Sequence, residues 1–142
     1  MKILRISKSP SLQILKFIGL LSLGSLAGAC GPSGPNLMSG RWMSEGGACL
    51  TVADAGCNLV VGCGHGQFAR PSLESNGTFD VDGTYRIEAG PISIDPAPPA
   101  HFSGKLTGTT LALSVVPTAS GLPPASYTLS PASPGSCTVP CL

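Results

Sequence analysis

Apolar and polar positions alternate without a break from Phe79 onward: Phe79, Val81, Gly83, Tyr85 and Ile87 fall on one side, Asp80, Asp82, Thr84, Arg86 and Glu88 on the other. A period of two over this length predicts a single half-buried strand across residues 78–88, with both aspartates on its solvent face. Asp82-Gly83 reads as a turn in isolation, but a turn there would interrupt the alternation, so Gly83 is expected to be an inward bend or bulge in a curved sheet. Ser75-Asn76-Gly77 is the better hairpin turn, because Asn-Gly accepts the positive φ angles of a type I′ turn.

Two more hairpins are predicted. Residues 48–53 and 57–63 flank Asp54-Ala55-Gly56, and residues 101–106 and 110–116 flank Thr107-Gly108-Thr109. Shorter candidates at 41–44, 66–69 and 126–130 bring the strand count to seven or eight, and no stretch has helical periodicity. Sequential hairpins predict an all-β fold: a small antiparallel meander closed into an up-and-down barrel and stapled by disulfides, with a two-sheet sandwich as the alternative. Proline-rich residues 91–99 and 117–124 read as loops, and Gly62-Cys63-Gly64-His65-Gly66 as a bend between strands.

The first 29 residues carry a different pattern. Lys2, Arg5, Lys8 and Lys16 precede an almost wholly apolar run over residues 17–26, and the small residues Ala27-Gly28-Ala29 follow it. That order is a secretory signal, and an apolar run of about 13 residues falls short of the roughly 20 that a membrane-crossing helix needs. Removing it changes the charge. The 8 cations of the whole chain outnumber its 7 anions, but from residue 30 onward four cations face seven anions, a net of −3. Nucleic-acid binding needs clustered cations and is excluded.

Leu26-Ala27-Gly28-Ala29-Cys30 resembles the lipobox of bacterial lipoprotein precursors, with Leu26 one place ahead of the position that family prefers. The resemblance implies cleavage before Cys30, acylation of its thiol, attachment to the membrane through that lipid and, with Gly31 rather than Asp after the cysteine, delivery to an outer membrane. Ala27-Gly28-Ala29 also suits ordinary signal peptidase, which would leave Cys30 free for a disulfide and the protein soluble and secreted. The lipid-anchored reading is preferred because Gly31-Pro32-Ser33-Gly34-Pro35 makes a flexible tether. The chain then divides into a signal peptide at 1–29, a tether at 30–38 and one β domain at 39–142. Gly40-x-Trp42 at the first strand is similar to the G-x-W that opens lipocalin-like barrels, where the tryptophan closes the barrel floor.

Export places Cys49, Cys57, Cys63, Cys137 and Cys141 in an oxidising compartment, where disulfides are expected. Three lie early and two at the carboxyl end, so cross-pairing ties the tail to the first strands and closes loops of roughly 75 to 90 residues, worth about 4 kcal/mol each. The expected pairs are Cys63 with Cys141, and Cys49 or Cys57 with Cys137. Five cysteines leave one unpaired thiol, free or joined to a partner chain; six, with Cys30 unacylated, would make three bridges.

The search for chemistry is less productive. Cys57, Cys63 and His65 fall within nine residues, but Cys57 to Cys63 is too wide for a zinc pair, and no metal is expected. Thr78-x-Asp80-x-Asp82-Gly83 resembles half a calcium loop, yet Thr78 replaces the first carboxylate and Ala89 the final glutamate. His65 and His101, with no G-x-S-x-G, advertise no hydrolase triad, Cys137-x-x-x-Cys141 is not a redox C-x-x-C, and no cofactor is expected. Three functions follow in order: a non-catalytic binding or structural lipoprotein of the cell envelope with an unassigned protein partner, a small barrel holding an apolar ligand, and a secreted enzyme whose ionisable groups converge in one cleft.

Overall fold

The computed structural model describes residues 34–88, 95–118, 121–138 and 140–141. The expected signal peptide, Cys30 and the start of the expected tether lie outside the described residues, as do parts of both proline-rich loops. Eight antiparallel strands form one closed barrel in meander order: β1 (Gly40–Met43), β2 (Cys49–Ala53), β3 (Gly56–Val61), β4 (Gly64–Phe68), β5 (Thr78–Ile87), β6 (Pro99–Thr107), β7 (Thr110–Pro117) and β8 (Ala125–Ala132). β1 and β8 close the ring through Arg41↔Ala132, Trp42↔Pro131 and Met43↔Ser130. The expected all-β barrel is the fold, not the sandwich.

Period-two alternation is kept around the whole wall. β5 runs in unbroken register from Thr78 to Thr84 against β6, so Gly83 is a regular inward position opposite Ala100 and Phe68, without a bulge. The β2–β3 and β6–β7 connections are tight turns at Asp54-Ala55 and Gly108-Thr109. The glycine-rich stretch departs from expectation: only Gly62-Cys63 is the turn, and Gly64, His65 and Gly66 belong to β4. Ser75-Asn76-Gly77 does turn the chain, with Gly77 at φ 81°, but at the end of a longer loop. There the Asn76 side chain accepts a hydrogen bond from the Thr78 amide at 3.0 Å.

Eight strands enclose a space that side chains alone fill. Trp42, Leu50, Leu59, Phe102, Leu113 and Leu129 point inward and are at most 1 % exposed. The inner wall is fitted by pairing aromatics with glycines across strands: Phe68 opposite Gly83, Tyr85 opposite Gly66, Phe79 opposite Gly104. The missing Cβ atoms leave room for the rings, and Phe68 stacks on Phe102 at a centroid distance of 4.3 Å.

One end of the barrel is plugged by residues on no strand. The Leu37 amide donates to the Pro71 carbonyl and the Leu73 amide to the Pro35 carbonyl, so two short segments pair beneath the barrel and bury Leu37 and Leu73. Arg70 pins this end by donating to the Leu37 carbonyl at 2.8 Å and pairing with Asp54. Trp42 adds a bond from Nε1 to the Met38 carbonyl at 3.2 Å. The folded part therefore includes residues 35–38, which the sequence places in the tether: a leucine with no periodic neighbours is indistinguishable from linker until its partner segment is known.

Candidate functional site

Three features of the wall carry chemistry: the carboxyl tail, a buried thiol, and two outward clusters of ionisable side chains. β8 ends at the plugged end, and the chain then crosses outside the early strands toward the opposite end. Disulfides tie it down at Cys49–Cys137 and Cys63–Cys141, with Cα separations of 5.5 and 4.7 Å. Just before the first of them the Ser136 carbonyl accepts from Arg41 at 3.2 Å. The Thr51 hydroxyl lies 3.2 Å from the Cys137 sulfur and must be the donor, because a disulfide sulfur carries no proton. Cys49 and Val60, cross-strand neighbours on the outer face, are buried although barrel position alone would expose them.

Both expected pairings are present, and Cys49 rather than Cys57 takes Cys137. Among the described residues Cys57 is the thiol without a disulfide, which corrects its place among the expected bridges. The reason is parity along the strands: Cys49 faces outward beneath the tail, whereas Cys57 sits opposite Val52 and Phe68 on the inner wall. Burial pushes its thiol up to about 11, against a smaller opposing pull from Arg70. A thiol this deep cannot join a partner chain. Cys57 is accordingly expected to resist iodoacetamide at pH 8 in the native protein and to react at once in denaturant, as peptide mass analysis would show; rapid native labelling would contradict the inward placement.

The first ionisable cluster lies on the outer faces of β5 and β6, where register sets Asp82 opposite His101 and Asp80 opposite Ser103. His101 Nδ1 is 3.0 Å from Asp82 and Nε2 is 2.8 Å from Asp80. Its pKa is raised above 6.5, chiefly by the hydrogen bond to Asp82 and next by that to Asp80. With both ring nitrogens facing carboxylates, the protonated ring satisfies both, and no nitrogen is left to accept a proton from a nucleophile. Because the folded-state pKa is raised, the stabilisation is full below about pH 6.5 and fades as pH rises through the folded value. An NMR titration should place the His101 midpoint above 6.5, and Asp82→Asn should lower it.

The second cluster sits on β4 and β5 toward the end opposite the plug. Glu88 receives Arg86 at 2.6 Å and His65 at 3.3 Å, and its backbone amide donates to the Cys63 carbonyl. The Cys141 sulfur packs 3.5 Å from the Glu88 carbonyl oxygen, so the described tail reaches this corner. Among the described residues, no group of His, Cys, Asp and Glu is arranged to hold a metal, and Asp80 and Asp82, whose spacing resembles half a calcium loop, are paired with His101.

A groove of about 760 Å³ lies on the outer wall, with a lining that includes the outward Asp80, Ser103, Lys105, Ser114, Ser126 and Thr128. Cross-strand register sets Ser103, Ser114 and Ser126 in one row. Sequence reading missed both ionisable clusters and this row, because each depends on which strand lies beside which; the β5–β6 register would have found the first. No protein-family model matches the chain, and no curated protein or solved structure is significantly similar to it.

Proposed function

We propose that this chain is an exported protein, anchored to the cell envelope by a lipid on Cys30, whose barrel has a non-catalytic binding or supporting role. The observation that carries the reading is the pair of long-range disulfides clamping the tail to the wall, since such bridges persist in oxidising compartments outside the cytosol. Anchoring rests on the signal, the lipobox-like Leu26-Ala27-Gly28-Ala29-Cys30 and the glycine-proline run after it. The described chain enters the barrel at the plugged end, so a tether from Cys30 leads there and leaves the Cys63–Glu88 corner facing away from the bilayer.

A binding role is favoured over catalysis by what the ionisable groups do. Both histidines are consumed in pairs with Glu88, Asp80 and Asp82 on a polar outer wall, which offers a partner hydrogen-bonding groups and leaves neither histidine free to activate a nucleophile. The apolar-carrier alternative requires room within the barrel, and the described interior is occupied by Trp42, Phe102 and the leucines around them. The test is the intact mass of the protein from a membrane fraction, before and after reduction and alkylation. A mature chain starting at Cys30 with added acyl mass is expected; a soluble, unacylated chain would refute the anchor.

A further inference from the structure

From the unequal setting of the two disulfides, we infer that the carboxyl tail is a redox latch: a dithiol reductant opens Cys63–Cys141 first and frees the tail's end while Cys49–Cys137 keeps the barrel intact. Cys141 is exposed and Cys63, in the β3–β4 turn, is half-buried, so one sulfur of this bridge is open to attack. Cys49 is 1 % exposed, and its partner Cys137 lies half-buried beside Thr51. Thiol–disulfide exchange requires in-line access to a sulfur, so the two bridges differ in kinetics whatever their strengths.

The chemistry is a simple exchange. A thiolate of the reductant attacks Sγ of Cys141, the Cys63–Cys141 bond breaks, and Cys63 leaves as a thiolate that takes up a proton. The reductant's second thiol then displaces Cys141 from the mixed disulfide. The protein gains two thiols, and the dithiol becomes its cyclic disulfide.

What the latch covers is the corner where Glu88 binds Arg86, His65 and the Cys63 backbone. The Cys141 sulfur lies against the Glu88 carbonyl there, whereas the tail at Cys137 is bonded to the buried Cys49, the cross-strand neighbour of the buried Val60, and is also held by Arg41 through Ser136. Opening the outer bridge therefore exposes a charged corner and no core residue. Opening the inner one would release the tail from Cys49 and Val60, the buried residues on the outer face of β2 and β3. The inference concerns the folded domain and does not depend on the lipid anchor.

The experiment is a timed reduction of the full chain with dithiothreitol, quenched with iodoacetamide and read by peptide mass, with Trp42, the 1 tryptophan of the chain, as reporter of the core. A one-bridge species is expected in which Cys63 and Cys141 are alkylated, Cys49–Cys137 is intact, Cys57 is unlabelled and Trp42 emission is unchanged. Labelling of Cys49 and Cys137 in step with Cys63 and Cys141 would overturn the inference. So would a red shift of Trp42 in the one-bridge species, since opening would then be unfolding. The double variant Cys63→Ser/Cys141→Ser should purify with native Trp42 emission and an intact Cys49–Cys137 bridge; a variant that cannot fold would equally overturn it.

Discussion

Gly83→Ala is expected to cost the barrel about 3 kcal/mol, the upper part of the range for overpacking a filled core. A methyl group there would overlap the backbone carbonyl oxygen of Gln67 as well as Phe68 and the Phe102 ring. The carbonyl belongs to the strand pairing of β4 with β5, so it cannot move aside without breaking the wall. Gly104→Ala meets a different obstacle, the Phe79 ring, with the Ala112 carbonyl at 3.0 Å. The two losses should therefore respond differently to a second change. Phe79→Leu, itself destabilising, should cost less when combined with Gly104→Ala, because the smaller side chain vacates the space the methyl needs; no such relief is available at Gly83. Gly108→Ala is the control: nothing lies within reach of its Cβ, and only its φ of 60° resists, at about 1 kcal/mol. Urea unfolding followed by Trp42 emission measures all five variants, and a Gly83→Ala loss no larger than that of Gly108→Ala would refute the fitted inner wall.

These glycines also explain which parts of the fold can be read from the chain. β5 was legible because ten consecutive positions alternate, and the β2–β3 and β6–β7 turns because both sides of each carry strand-like runs. Gly64 and Gly66 were misleading. Glycine signals a turn by composition, yet here it is an inward strand residue making room for Tyr85 and Phe102, and only the neighbouring strand reveals this. The plug formed by Leu37 and Leu73 had no periodic signature. The candidate site divides in the same way. Pairing of the tail with the early strands follows from cysteine grouping, whereas the choice of Cys49 over Cys57 depends on which face of the wall each occupies. The His101 cluster required the register of two strands separated by a loop of unknown path.

Removing both bridges is expected to destabilise the domain by about 7 to 8 kcal/mol, and removing either alone by only about 3. The bridges are separated by 88 and 78 residues of sequence, and either one by itself would be worth about 4.5 kcal/mol in the chain-entropy account. They are interleaved along the chain, however. Once Cys49 is joined to Cys137, the route from Cys63 to Cys141 passes through that bridge, and the second closure spans a loop of roughly 20 residues. A wild-type chain losing one bridge gives up only the smaller closure; the chain losing its second gives up the long one. The double loss should therefore exceed the sum of the two single losses, the opposite of two independent staples. Domains of this size have net stabilities of about 5–15 kcal/mol, so single-bridge variants should remain folded at 25 °C while the four-serine variant sits near its unfolding midpoint. Equilibrium urea unfolding of the Cys49→Ser/Cys137→Ser, Cys63→Ser/Cys141→Ser and combined variants distinguishes the cases. Simple additivity would mean that the unfolded chain is not shortened as the interleaved bridges require, and that the tail contributes through its contacts with Arg41, Thr51 and Glu88 instead.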